Sequence, residues 1–198
     1  MSTALILIDL QNDFLDPQGA YARGGCASVQ AQALPARLLP LMQAIKHAGG
    51  LVVASQFTLW PDAQGEPMIS PHLKALRPFL KRGDFAPGSW GQACVDLIQG
   101  QLDVAVQKVA YSAFFNTQLD WVLRRAGVKR VLVAGIVTNG GVASTVRDAH
   151  MRDYETVVVA DGCAAFKLQA HEAALADMAS VARVADIADL LHEARPAP

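Results

Sequence analysis

The sequence predicts an α/β protein, a three-layer α/β/α sandwich around a central, mostly parallel sheet. Three observations predict it. Short continuous apolar runs recur at residues 4–8, 51–55, 131–134 and 156–160, and runs without polar alternation mark strands buried on both faces. Between them lie stretches with apolar residues at helical spacing, such as Leu34, Leu38, Leu41 and Ile45. Strands that alternate with helices in this way require a parallel sheet covered on both sides. Third, the runs end in polar residues (Asp9, Gln56, Thr138, Asp161), and open α/β sheets place their chemistry at the carboxyl ends of their strands.

Residues 4–8, ALILI, form the first strand, and Asp9 closes it. A carboxylate ending such a run needs a partner, because burying it alone is costly. The polar members of the loop QNDFLDPQGA, Asp13 and Asp16 among them, either satisfy one another or serve a site. Residues 29–48 carry a helix that starts near Pro35 or bends at Pro35 and Pro40, and Gly49 and Gly50 end it. Residues 51–55 are the second strand, with Gln56 at its end.

Residues 57–90 form a long irregular loop holding Pro61, Pro67, Pro71, Pro78 and Pro87. Loops of this length in a compact domain are lids or binding loops. Trp60, Phe79, Phe85 and Trp90 line a pocket or plug a gap. The charges here, Arg77 included, read as solvated, with one basic residue available to a substrate carboxylate. A short helix follows within 90–99, then a third strand over 103–109. Near its end stands Lys108, either an exposed edge charge or a cation held against a buried carboxylate. Asn116 caps a helix over 118–126, and Gly127 terminates it.

The stretch 131–145 reads VLVAGIVTNGGVAST. A fourth strand breaks into a turn with two glycines, and a helix opens at Val142. Unpaired N–H groups at such a turn can hold a developing negative charge. A fifth strand over 156–160 ends at Asp161; a helix over 169–181, a short strand over 182–184 and a helix over 186–193 complete the chain.

At 198 residues with about half of them apolar, the chain reads as one domain, 1–198, with a sizeable core. No apolar run approaches the ~20 residues that span a bilayer, and MSTALILIDL lacks the basic start of a signal peptide. A formal charge of −1 without a basic stripe argues against nucleic acid and anionic membrane as partners. Three cysteines, Cys26, Cys94 and Cys163, without CxxC spacing point to reduced thiols in the cytoplasm. The tail 195–198 is the one biased tract. The five histidines show no ligand spacing, and no dinucleotide fingerprint or phosphate loop is present. Neither metal nor other cofactor is expected.

Gly135, Thr138, Asn139, Val142, Thr145, Asp148 and Ala149 fall in the order of the nucleophile turn of the isochorismatase-like hydrolases, the cysteine hydrolase superfamily. Asp9 in ILIDLQNDF and Lys108 in QKVAYSAFFNT match that family's catalytic aspartate and lysine, and VVVADGCAAF extends the resemblance over nearly the whole chain. The resemblance implies a Rossmann-like fold, a catalytic group of Asp9, Lys108 and residue 141, and backbone donors from Val137 and Gly141. It also implies a cis peptide between Ile136 and Val137, and a homodimer or homotetramer acting on a small polar molecule. Phe14, Gln56, Trp60, Phe115 and Asn139 are the expected substrate-binding residues. Nicotinamidase-type members place Asp-x-His after the second strand, where this chain has Ser55, Gln56, Phe57 and Thr58.

Gly141 stands where the family's pattern has its nucleophilic cysteine. Three readings follow. Isochorismatases proper resemble this chain in that glycine and in Gln56, and they cleave a vinyl ether with the aspartate as general acid. Strings such as YSAFFNT and STVRDA instead resemble ureidoacrylate amidohydrolases, which makes the chain an amidohydrolase scaffold whose cysteine was replaced. The third reading is a small-molecule binding protein without turnover. Cys94 and Cys163 lie off the turn and read as core thiols.

Overall fold

The structure is a computed structural model describing residues 2–194, so the tail 195–198 lies outside the described residues. Its sheet has six strands: β1 (Ser2–Ile8), β2 (Leu51–Phe57), β3 (Val104–Lys108), β4 (Val128–Ile136), β5 (Glu155–Ala164) and β6 (Arg183–Ala185). They lie in the order β3-β2-β1-β4-β5-β6, and every pairing is parallel.

In chain order the helices are α1 (Asn12–Leu15), α2 (Ala20–Arg23), α3 (Val29–Gln32), α4 (Leu34–His47), α5 (Pro71–Leu76), α6 (Asp96–Gln99), α7 (Leu119–Arg125), α8 (Ala143–His150), α9 (Leu168–Met178) and α10 (Ile187–Glu193). Period-two alternation sorts the core into two halves. Leu5, Leu7, Val52, Ala54, Leu132 and Val157 face α4 and α10 on one side. Ala4, Ile6, Ile8, Val53, Val131 and Val133 face α7, α8 and α9 on the other. The sandwich expected from the apolar runs is the one observed.

Strand ends run further than the apolar runs suggested. β2 continues to Phe57, so Gln56 lies inside the strand. β5 continues past Asp161 to Ala164, because irregular pairing after Val133 lets Gly135 and Ile136 meet Cys163 and Ala164. Pro35 occupies the first turn of α4, where its missing N–H costs nothing, and α3 precedes it as a separate turn. Asn116 does not cap α7 but takes a left-handed turn at φ 53°. Gln118 stands at the N-cap without a side-chain hydrogen bond, and just before it Thr117 Oγ1 accepts from Leu119 N at 3.1 Å.

The loop over 57–90 has its own small core of Ala20, Tyr21, Leu59, Leu80 and Phe85, with Phe14, Phe57 and Phe79 packed on it. Asp13 holds it down. One carboxylate oxygen accepts from Ala20 N at 3.0 Å and the other from Phe85 N at 2.7 Å. Of the four aromatics expected to line a pocket or fill a gap, Phe85 and Phe79 pack inward, whereas Trp60 and Trp90 stand exposed.

Candidate active site

Strand order creates the site. The chain winds outward from β1 to β2 and β3, then returns to lay β4 on the other side of β1. That reversal leaves a crevice beyond the carboxyl ends of β1 and β4, the place where open α/β sheets bind ligands. Asp9 follows β1 and Gly141 follows β4, so topology brings them to one spot.

Asp9 takes a left-handed conformation, φ 57°, which aspartate tolerates better than most side chains. Its Oδ2 lies 2.7 Å from Lys108 Nζ, with Asp9 5% and Lys108 2% exposed. Neighbouring strands are about 4.8 Å apart, and β2 separates β3 from β1, so only a long side chain can make this bridge. The ammonium passes Phe57 at 5.8 Å from the ring centroid and also donates to the carbonyls of Ala110 and Tyr111, each at 3.0 Å. All three of its protons are thereby engaged, the condition for burying an ammonium. Ser55 Oγ donates to Asp9 Oδ1 at 3.3 Å. Burial pushes the Asp9 carboxyl above its ordinary value, against the Lys108 charge and the hydrogen bonds that pull it down. The group therefore holds a proton more readily than a free aspartate while keeping a cation ready for its ionised form.

The turn after β4 is a π-helical turn, Thr138–Val142, preceded by a cis peptide between Ile136 and Val137. Gly135 (φ 119°) sits where β4 presses on β1; a Cβ there would stand 2.2 Å from the Ile8 carbonyl oxygen. Thr145 Oγ1 donates to the Gly141 carbonyl at 2.7 Å and accepts from Ala113 N at 3.0 Å, fixing the turn against the loop after β3. Thr138 Oγ1 and His171 Nδ1 lie 2.8 Å apart, tying the turn to α9. The Val137 N–H donates to no acceptor among the described residues.

A cavity of about 120 Å³ opens over the ion pair. Asp9, Lys108, Gly141, Val137 and Phe14 line it, as does Ile136. The other expected site residues lie elsewhere. Gln56 Nε2 points to the Gln92 carbonyl at 3.3 Å, away from the cavity, because β2 runs on past it. Trp60 lines a neighbouring depression with Met68 and Ile69. Phe115 is 51% exposed, and Asn139 is exposed on the outer side of the turn. Sequence reasoning passed over Tyr21, Tyr111 and Phe166, which complete the wall with Arg77, Leu73 and Leu80. No local pattern marks these residues, since they arrive from four separate segments of the chain: α2, the stretch from α5 to Leu80, and the turns after β3 and β5. Arg77 was in view only as one of several loop cations.

Cys94 and Cys163 are buried, and burial pushes both thiols up to about 12. Neither lines the cavity, so neither stands in for a thiolate. Among the described residues no three His, Cys, Asp or Glu side chains converge as a metal-ligand cluster. Among the described residues no helix is long and apolar enough to cross a membrane.

The family model described as isochorismatase domain matches residues 3–189. The chain is 34% identical over 171 residues to a ureidoacrylate amidohydrolase, RutB, of Caulobacter vibrioides, covering 81% of this chain and 76% of that one. Among solved structures, an isochorismatase-like hydrolase from Alkaliphilus metalliredigens superposes with a TM-score of 0.82 at 23% identity, covering 98% of this chain and 100% of that one. A cysteine hydrolase from Pseudomonas syringae pv. phaseolicola gives a TM-score of 0.82 at 25% identity, over 98% of this chain and 93% of that one.

Proposed function

This chain belongs to the isochorismatase family of hydrolases, and on that footing we propose that it hydrolyses a small polar molecule without a thiol, using Asp9 as general acid and base. The observation that carries the proposal is the Asp9–Lys108 pair, buried at the floor of a cavity where residue 141 contributes no side chain. Burial raises the Asp9 carboxyl, so it takes up a proton more readily than a free aspartate, and in that form it can protonate the terminal carbon of a vinyl ether. The cation that results takes up water at the ether-bearing carbon, and the adduct separates into a ketone and an alcohol. Lys108 stabilises the carboxylate left behind until it recovers a proton from that water. Val137 and Gly141 line the cavity, and on this reading their N–H groups donate to a substrate oxygen. The reaction calls on no metal, in keeping with Ser55-Gln56-Phe57 at the place of the nicotinamidase Asp-x-His.

A second reading is favoured by the 34% identity to a protein named for ureidoacrylate hydrolysis. There the chain is an amidohydrolase scaffold lacking its nucleophile, and the third reading keeps only ligand binding. The reaction separates them. The parent, Asp9→Asn and Gly141→Cys are assayed on isochorismate, on ureidoacrylate and on simple amides. Turnover of the vinyl ether by the parent, insensitive to iodoacetamide and lost in Asp9→Asn, supports the proposal. Amide or ureide cleavage that appears only in Gly141→Cys supports the disabled scaffold. No turnover by any variant, with ligand binding unchanged in Asp9→Asn, leaves the binding protein.

The same reading carries a cytoplasmic homodimer or homotetramer, for which exposed Trp60, Phe115 and Trp121 offer apolar surface. Light scattering checks the assembly.

A further inference from the structure

Of the three charged side chains in the cavity wall, Arg77 is the one without an ion-pair partner among the described residues. Asp9 and Lys108 cancel each other. Arg77 follows α5 and forms no ion pair among the described residues. Its Nε donates to Tyr21 Oη at 3.2 Å and its Nη1 to the Leu76 carbonyl at 2.9 Å, while Nη2 has no acceptor among the described residues.

The group is held in place. The Tyr21 ring is buried and stacks on Phe166 at 5.6 Å and 13°, with Phe79 edge-on at 5.2 Å. The phenol thus fixes the plane of the guanidinium before any ligand arrives, and pre-organisation of this kind lowers the cost of binding. Around it the wall is apolar, with Phe14, Leu73, Leu80 and Phe166. A half-buried guanidinium against hydrocarbon, with donors to spare and no counter-ion, is incomplete without an anion. An ordinary solvated arginine has no need of a buried phenol to orient it, nor of a place in the wall of the reactive cavity.

We propose that Arg77, oriented by Tyr21, recognises a carboxylate on the substrate, so that the substrate is a small carboxylate with an apolar or planar middle and its scissile group over Asp9. The fork of a guanidinium matches the two oxygens of a carboxylate, and such charge-assisted pairs are about twice as strong as neutral ones. The inference rests on the reaction being placed at Asp9, yet binding can be measured without turnover.

Crotonate and crotonamide, which differ only in the anionic group, serve as probes in calorimetric titrations of the parent, Arg77→Met, Arg77→Lys and Tyr21→Phe. The expected result is binding of crotonate about tenfold or more tighter than crotonamide by the parent, a preference lost in Arg77→Met, partly kept in Arg77→Lys and reduced in Tyr21→Phe. Thermal melts confirm that each variant is folded, and Arg77→Lys retains the charge should Arg77→Met not fold. Equal binding of acid and amide by the parent, failure of the parent to bind crotonate, or persistence of the preference in Arg77→Met overturns the proposal. A parent that discriminates through Arg77 but hydrolyses nothing sinks the hydrolase reading and leaves this one standing.

Discussion

The Cβ that Gly141 lacks would stand 2.9 Å from the Cγ2 methyl of Ile8, the residue just before Asp9. The methyl of a β-branched side chain in a core strand has little freedom to withdraw. Packing under the turn is therefore fitted to glycine, which supports a chemistry that never used a side chain at residue 141.

Gly141→Ala tests this fit. Overpacking costs ~1–3 kcal/mol, more than the roughly 1 kcal/mol that alanine gains over glycine in helical backbone. A net loss of about 1 kcal/mol is expected in urea unfolding. Adding Ile8→Ala should cost less than the sum of the two single changes. If Gly141→Ala is as stable as the parent, the fit is not tight.

The Asp9–Lys108 pair should behave as a unit. Removing one partner strands the other charge in a buried site, so Asp9→Asn and Lys108→Met should each cost about 3–5 kcal/mol. The double substitution should recover most of that loss, because two neutral groups need no counter-ion. Additive losses in the double variant would show that the two charges do not interact.

Stability should also carry the signature of a raised carboxyl. Asp9 binds its proton more tightly when folded than when unfolded. Its favourable contribution is therefore complete below the ordinary carboxylate value and is lost as pH rises through the raised folded value. Measured against Asp9→Asn/Lys108→Met from pH 3 to 8, on the order of the range where carboxylates titrate, the parent should lose relative stability as pH rises. A relative gain would mean that Asp9 is held below its ordinary value.

Glu193 shows the opposite sign on the far side of the molecule. Hydrogen bonds from Arg183, then Arg130, hold its carboxyl down at about 2. Its stabilising effect is present above the unfolded value of 4.5 and fades as pH falls toward about 2. The three side chains are partly solvated, so salt should weaken the effect. Comparing Glu193→Gln with the parent at pH 6 and near pH 2–3, on the order of the two limits, should show a gap only at the higher pH.

Asp13 anchors the loop that walls the cavity. Asp13→Ala leaves the Ala20 and Phe85 N–H groups without acceptors, at a cost of about 1–3 kcal/mol for each that stays buried. Hydrogen exchange should quicken across residues 57–90 more than in β1 and β4. Uniform acceleration would place Asp13 in the global core instead.

How much of this was legible beforehand varies from element to element. β1 and β4 showed as apolar runs, and their boundaries moved by only a few residues. Asp9 was conspicuous as a carboxylate closing such a run. Lys108 taken alone was ambiguous, because its burial depends on reaching across β2. Gln56 was misplaced for a plain reason: polarity marks the end of an apolar run, but hydrogen bonding carried β2 on to Phe57.

The sequence by itself determined the layered α/β architecture, the positions of Asp9 and Gly141 at strand ends, and the missing side chain at the turn. These follow from periodicity and residue type, which are local properties of the chain. Only the tertiary structure decided that Lys108 meets Asp9, that Ile8 fills the space beneath Gly141, and that Tyr21 and Phe166 gather round Arg77. Those pairings join residues tens of positions apart, and strand order together with loop packing, which no local pattern encodes, brings them together.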